Sequence, residues 1–367
     1  MKESSKKKIK WIILVIVGLI LVSISSVVIA VLIAFNQIHV NIDFIDYESE
    51  YVVPDLPSDI IETSVDPNDF DYEEPEDEPV VEEPDNTTSN SGNTSKSGSG
   101  KNNNRNTDSN YIKETPIYKV APKDENIINI LLIGRDGGRS DSMIVASYNK
   151  KTGRIVLTSF MRDSLVYIQN YGWNRLNASF AYGGPGLTIN TINQIFGTDI
   201  QHFVCIDFSG FTKVIDSIGG ITVNITEAES NYLKTQCNLD IPAGDATLNG
   251  SQALVYSRIR KGIGNDQART ERQRKVLTAI LTKVFNEFDI AKALSLMNNS
   301  LKYVKTNLSL GDMTSLLYDF MNQDSIHIET FRVPADGTYA NAYYNGMAIL
   351  KVDFEKNKRL IEEKIYK

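Results

Sequence analysis

Cysteine is nearly absent from this 367-residue chain, which holds only Cys205 and Cys237. Two thiols are too few for a disulfide scaffold, so the fold has to rest on a hydrophobic core. Cys205 lies in H-F-V-C-I-D-F, an apolar run that predicts a buried strand and a buried thiol. Histidine is also scarce, with His39, His202 and His327 alone, which argues against a cysteine nucleophile with a histidine base. Charge is missing from Trp11 to Phe35, a run of 25 residues. Basic residues are missing from Asp43 to Asp85, which carries 18 Asp and Glu.

Each gap has a consequence. An uncharged run of that length can cross a ~30 Å hydrocarbon core as one helix, and it exceeds the roughly 7–15-residue apolar core of a signal peptide. Lys2, Lys6, Lys7, Lys8 and Lys10 precede it, so residues 1–10 are expected in the cytoplasm and everything after Asn36 outside. The expected organisation is a basic tail (1–10), a transmembrane helix (11–35), a spacer (36–116) and a globular domain (117–367). In the spacer, Tyr47–Pro84 is acidic and Pro-rich and Asp85–Asn110 is Asn/Ser/Thr/Gly-rich. Both compositions predict disorder. The net charge of −8 belongs to this tether, because from Tyr111 onward there are 30 basic and 26 acidic residues.

Globular patterning starts near Ile117. Strands are predicted at Ile127–Gly134, Ser142–Tyr148, Arg154–Phe160, His202–Asp207, Ile221–Ile225 and about 326–333. Helices are predicted at Arg175–Tyr182, Leu187–Phe196, Phe208–Ile218, about 249–256, about 270–288, near 312–321 and near 352–366. The alternation predicts an α/β (α+β) fold, a mixed central sheet flanked by helices.

The stretch Gln252–Arg274 concentrates Arg258, Arg260, Lys261, Arg269, Arg272 and Arg274 against Asp266 and Glu271. If the chain is extended at its start, Arg258 and Arg260 point to one side. Further on, Val276, Leu277, Ile280, Leu281 and Val284 recur at helical spacing, with Arg269, Arg272 and Gln273 on one face near the N-terminal end. Guanidinium forks bind phosphate oxygens two at a time, so the pattern suits a multiply charged phosphate ligand; the bland alternative is a solvated basic helix face. Strand Ile127–Gly134 runs into G-R-D-G-G-R-S-D, where Asp136 and Asp141 bracket Arg139 and could converge on Mg²⁺. The next strand pair ends in F-M-R-D-S, giving Arg162 and Asp163, and Arg175, Asn177 and Tyr182 follow. Asp266 could hold an arginine or act as a base. Ile189, Ile192, Ile195, Phe196, Phe203, Val204 and Phe211 could line an apolar channel for a lipid or form ordinary core.

The succession G-R-D…R-S-D, M-R-D, R-L-N-A-S-F-A-Y-G-G, F-S-G-F…I-D-S-I-G-G-I-T-V, L-N-G-S-Q-A-L-V-Y-S-R-I-R and N-D-Q-A-R-T-E-R-Q resembles the LytR–CpsA–Psr family over about 126–281. That resemblance implies a membrane-anchored bacterial enzyme, single-pass, with its catalytic domain outside the cell. It implies a phosphotransferase that moves a glycopolymer, such as wall teichoic acid or capsule, from a polyprenyl pyrophosphate carrier to peptidoglycan. It also implies Mg²⁺ (or Mn²⁺) on Asp136 and Asp141, and pyrophosphate on Arg139, Arg162, Arg175, Arg258, Arg260, Arg269 and Gln273. The catalytic set it implies is Arg139, Arg162, Asp163 and Asp266. Three positions depart from the family pattern: Arg175 stands for a common Lys, F-M-R-D for I-P-R-D, and Asn265 interrupts the Gly–Asp before the last Arg pair. A polyprenyl-pyrophosphate hydrolase and a non-catalytic sensor of wall precursors are the rival readings. Nucleic acid is not an expected partner, because the basic groups lie on the outer side of the membrane.

Overall fold

A computed structural model describes residues 38–46, 53–64, 115–136, 139–260 and 263–367, with the side chains of Asp136 and Arg139 outside the description. The expected transmembrane run Trp11–Phe35 and most of the expected spacer lie outside the described residues. Among the described residues no helix is long and apolar enough to cross a membrane. In chain order the strands are β1 (Phe44–Ile45), β2 (Ile61–Glu62), β3 (Ile117–Tyr118), β4 (Ile127–Asp136), β5 (Arg139–Asn149), β6 (Arg154–Phe160), β7 (Leu165–Ile168), β8 (Gly172–Arg175), β9 (His202–Asp207), β10 (Ile221–Ile225), β11 (Gly244–Leu248), β12 (Val304–Thr306), β13 (His327–Val333), β14 (Tyr339–Tyr344) and β15 (Met347–Val352). The helices are α1 (Leu176–Phe196), α2 (Phe208–Ser217), α3 (Glu227–Cys237), α4 (Gly250–Arg258), α5 (Asp266–Glu287), α6 (Ile290–Ser300), α7 (Leu310–Met321) and α8 (Phe354–Tyr366).

The central sheet has the order β12-β9-β4-β5-β6-β13 and mixes parallel and antiparallel pairs. The apolar run of β4 reads as continuous because helices cover both faces of the sheet. On one face, Leu131, Ile133, Val145, Val156 and Phe203 pack against Ile189, Ile192 and Phe196 of α1 and Ile361 and Ile365 of α8. On the other, Ile144, Ile155 and Leu157 meet Leu277 and Leu281 of α5 and Leu316 and Phe320 of α7. Fully enclosed side chains such as Leu131 and Leu157 each contribute roughly 2 kcal/mol of hydrophobic stabilisation. A second core joins α2, α3, α4 and the antiparallel pair β10–β11 to Val276 of α5. So α5 touches both cores, which fixes its axis against the sheet.

One expectation needs correction. Residues 38–64 are not all spacer: Ile38, Val40 and Ile42 are buried, β1 pairs with β3, and β2 pairs with β14. The segment I-H-V-N-I alternates apolar and polar, which the acidity around it masked. The two helices expected on either side of G-G-P-G are both present, joined in α1 across a kink where Gly183 and Gly184 leave helical geometry. Of the two readings of the apolar set, ordinary core holds: Ile189, Ile192, Ile195, Phe196 and Phe203 are enclosed core side chains, and Phe211 packs against the second core. Cys205 is buried and free, and burial pushes its thiol up to about 12.

Candidate functional site

Strand direction gathers the candidates at one end of the sheet. β9, β4, β6 and β13 run parallel, while β5 runs against β4 and β6. The carboxyl ends of four strands and the start of β5 therefore share one rim, where ligands collect in open α/β sheets. At that rim β4 and β5 slip register: Gly134 pairs with Ser142 but Arg135 pairs with Ser140, leaving Asp141 as the extra residue of a bulge. A bulge re-aims the side chain it carries. Asp141 Oδ1 consequently lies 3.5 Å from Arg162 Nη1, just past the end of β6.

The Arg162–Asp163 segment is held by backbone hydrogen bonds on every side. Met161 N–H donates to Val333 O, Asn177 N–H to Arg162 O, Leu176 N–H to Ser164 O and Leu350 N–H to Asp163 O. The hairpin of β7 and β8 pairs Leu165 with Arg175 and so returns Arg175 beside Asp163. Asp163 stands between two guanidinium groups, 3.6 Å from Arg162 Nε and 3.6 Å from Arg175 Nη1.

The remaining part comes from the first turn of α5. Gly264 adopts φ +126, and a Cβ there would sit 2.5 Å from the Ala268 Cβ, so the approach to the helix needs glycine. Asn265 then caps the helix, its side-chain oxygen accepting from Gln267 N–H and Ala268 N–H. This places Asp266, 1% exposed, with its Oδ1 2.6 Å from Arg269 Nη2, 3.7 Å from Arg260 Nε and 3.9 Å from Arg162 Nε. A buried carboxylate of this kind is tolerable only when paired. Burial pushes the Arg269 guanidinium below its ordinary value; Asp266 pulls it back up, and the charges of Arg162 and Arg260 push it down again.

One residue that the sequence suggested as a ligand turns out to hold the frame. Arg272 donates through Nε to Glu229 at 2.8 Å and through Nη1 and Nη2 to the carbonyls of Ile259 and Ile263. It clamps the loop that carries Arg260, and Glu229, in α3, was not legible as its partner. Burial alone would raise the Glu229 carboxyl; the Thr226 N–H and Arg272 outweigh it and hold it below its usual value.

Thus Arg162, Arg175, Arg260 and Arg269 converge with Asp141, Asp163 and Asp266. Gln273 follows Arg269 by one helical turn and is half-buried. Arg258 departs from expectation: α4 runs through it, so it is not extended with Arg260, and its guanidinium lies 4.2 Å over the Phe208 ring beside the end of β9. Asp136 pairs with Arg139 across the hairpin, at the same rim; their side chains lie outside the description. Among the described residues no group of three His, Cys, Asp or Glu is placed to hold a metal. The carboxylate at the bulge is the kind of hard oxygen donor that suits Mg²⁺ or Mn²⁺, a cation that needs few protein ligands. Four guanidinium groups gathered at one rim are the kind of donor that binds phosphate oxygens two at a time.

Residues 88–363 match the sequence model of the LytR_cpsA_psr family. The polyisoprenyl-teichoic acid–peptidoglycan teichoic acid transferase TagU of Bacillus subtilis is 33% identical over 239 residues, 63% of this chain and 74% of that protein. TagU of Oceanobacillus iheyensis is 31% identical over 234 residues, 60% of this chain and 71% of that protein. The crystal structure of B. subtilis TagT superposes with TM-score 0.56 at 25% identity, over 68% of this chain and 95% of that one.

Proposed function

Because the chain belongs to the LytR–CpsA–Psr family, we propose that it transfers a teichoic acid or similar glycopolymer from a polyprenyl pyrophosphate carrier to peptidoglycan. The single observation that supports this most is the meeting of Arg162, Arg175, Arg260 and Arg269, drawn from three separate stretches of chain, at one sheet rim. Such a cluster suits a diphosphate, whose breakdown develops charge that fixed guanidinium groups stabilise where it forms. The names of its relatives TagU point to the same donor and acceptor.

In this reading a peptidoglycan hydroxyl attacks the phosphorus that bears the glycan. A new P–O bond forms, the bond to the bridging pyrophosphate oxygen breaks, and polyprenyl phosphate leaves with the electron pair. The hydroxyl proton passes to a carboxylate, and Asp163 is our choice, because Arg162 and Arg175 fix both its oxygens at the rim. Asp266 is a positioning residue that orients Arg260 and Arg269 from its buried place. Asp136 and Asp141 are the groups that would hold Mg²⁺ or Mn²⁺. When bound, such a cation would neutralise phosphate oxygen charge. Trp11–Phe35 would anchor the enzyme in the cytoplasmic membrane with this domain on the outer face.

Incubating the full chain with a labelled polyprenyl-pyrophosphate glycan, with and without peptidoglycan, tests the proposal. Label joined to peptidoglycan supports it. Release of free glycan phosphate at the same rate in both arms identifies a hydrolase, and no turnover with tight donor binding identifies a sensor.

A further inference from the structure

Helix α5 does more than present Asp266 and Arg269. Five residues after Arg269, about 7.5 Å along the axis and about 140° around it, Arg274 points away from the sheet rim. It lines a cavity of about 520 Å³ between α5, the outward face of β10 at Thr222 and Asn224, and Thr330 of the sheet-edge strand β13. Arg274 is only 7% exposed, yet its Nε and Nη1 are buried with no hydrogen-bond partner. Thr278, one helical turn on and lining the same cavity, has a buried hydroxyl in the same condition. Buried donors are almost always paired, so a cluster of orphans on one helical face marks a place for an acceptor. A guanidinium enclosed this way is costly without a counter-charge. Burial pushes Arg274 down to about 10; Glu271 opposes that and the nearby Arg332 adds to it.

Charge in the cavity decides what would fit. Lys275 lies 3.7 Å from Glu271 and Lys283 lies 3.5 Å from Glu287, so these four largely cancel. Arg274 is left as the excess charge of the lining. A singly charged oxyanion matches that excess, and its two unesterified oxygens match a guanidinium edge and a threonine hydroxyl.

We propose that the cavity between α5, β10 and β13 is a second anion site, which takes a phosphodiester of the glycopolymer chain through Arg274 and Thr278. The choice of a glycopolymer rests on the proposed function; the need for a phosphate-like anion does not. Held there, a repeat unit of the polymer would be gripped away from the diphosphate, so the chain is retained while its reducing end reacts.

Calorimetric titration of the full chain in detergent tests this with three probes: a poly(glycerol phosphate) oligomer, glycerophosphoglycerol as a single diester, and inorganic phosphate. We expect the oligomer and the diester to bind, with roughly tenfold loss of affinity in Arg274→Gln and a smaller loss in Thr278→Val. Thr278→Val conserves shape, so it reads the site even if Arg274→Gln lowers folding stability. Inorganic phosphate binding that needs Arg274, with the oligomer indifferent to it, overturns the glycopolymer and leaves a free-phosphate site. Oligomer binding lost in Arg260→Gln but kept in Arg274→Gln overturns the second site and leaves the proposed function standing. Failure of all three probes to bind overturns the inference outright.

Discussion

Glu229 and Arg272 show how a buried ion pair can serve a site that neither residue touches. Both side chains are 6% exposed, and together they tie α3 to the loop carrying Arg260. Removing one charge leaves the other enclosed, so Glu229→Gln is expected to cost about 3 kcal/mol at neutral pH, read by chemical denaturation. The Glu229 carboxyl is depressed in the folded state, so its stabilisation is present above the ordinary value of 4.5 and fades as pH falls through the folded value. Below pH 4.5 the gap between wild type and Glu229→Gln should therefore close; a gap constant with pH would contradict this assignment. The sequence exposed the arginines but not this pairing. Arg269 and Arg272 are three apart on one helix, and the same periodicity describes both, yet one faces Asp266 and the other faces Glu229.

At the scale of elements, the site depends on two local departures from regular structure. The bulge at Asp141 turns a strand residue toward Arg162, and the positive φ at Gly264 sets the start of α5. Gly264→Ala is expected to lower stability by roughly 1–3 kcal/mol and to reduce turnover as well, because Asp266 moves with its helix. Thermal unfolding and transfer rate measured on the same preparation check both effects. The long elements were legible in the sequence: β4, β6, β9, α2, α5 and α8 have strong periodicity or continuous apolar runs. The β7–β8 and β14–β15 hairpins and α3 were not. Their strands are short, α3 has a polar sequence, and their burial comes from contacts distant in sequence, such as Leu233 against Tyr256.

For the whole molecule, the boundary of the folded domain lies earlier than composition suggests. Ile42, 6% exposed, joins the main core from a segment far from Ile117 in the chain. Ile42→Ala is expected to cost about 2–4 kcal/mol in denaturant unfolding, where a spacer residue would cost nothing measurable. The convergence of charge at the rim was readable as an expectation, because arginines and aspartates recur just past strand ends. Its actual partners depend on topology, which sets β4, β6, β9 and β13 parallel. The most direct measurement is the transfer rate of Arg260→Gln on a polyprenyl-pyrophosphate glycan with peptidoglycan as acceptor. Arg260 lies on a loop with its side chain 38% exposed, so its loss spares the fold. If the rim arginines stabilise a breaking diphosphate, the rate falls by roughly a hundredfold with the unfolding midpoint unchanged. A rate equal to wild type would contradict a diphosphate held by this cluster.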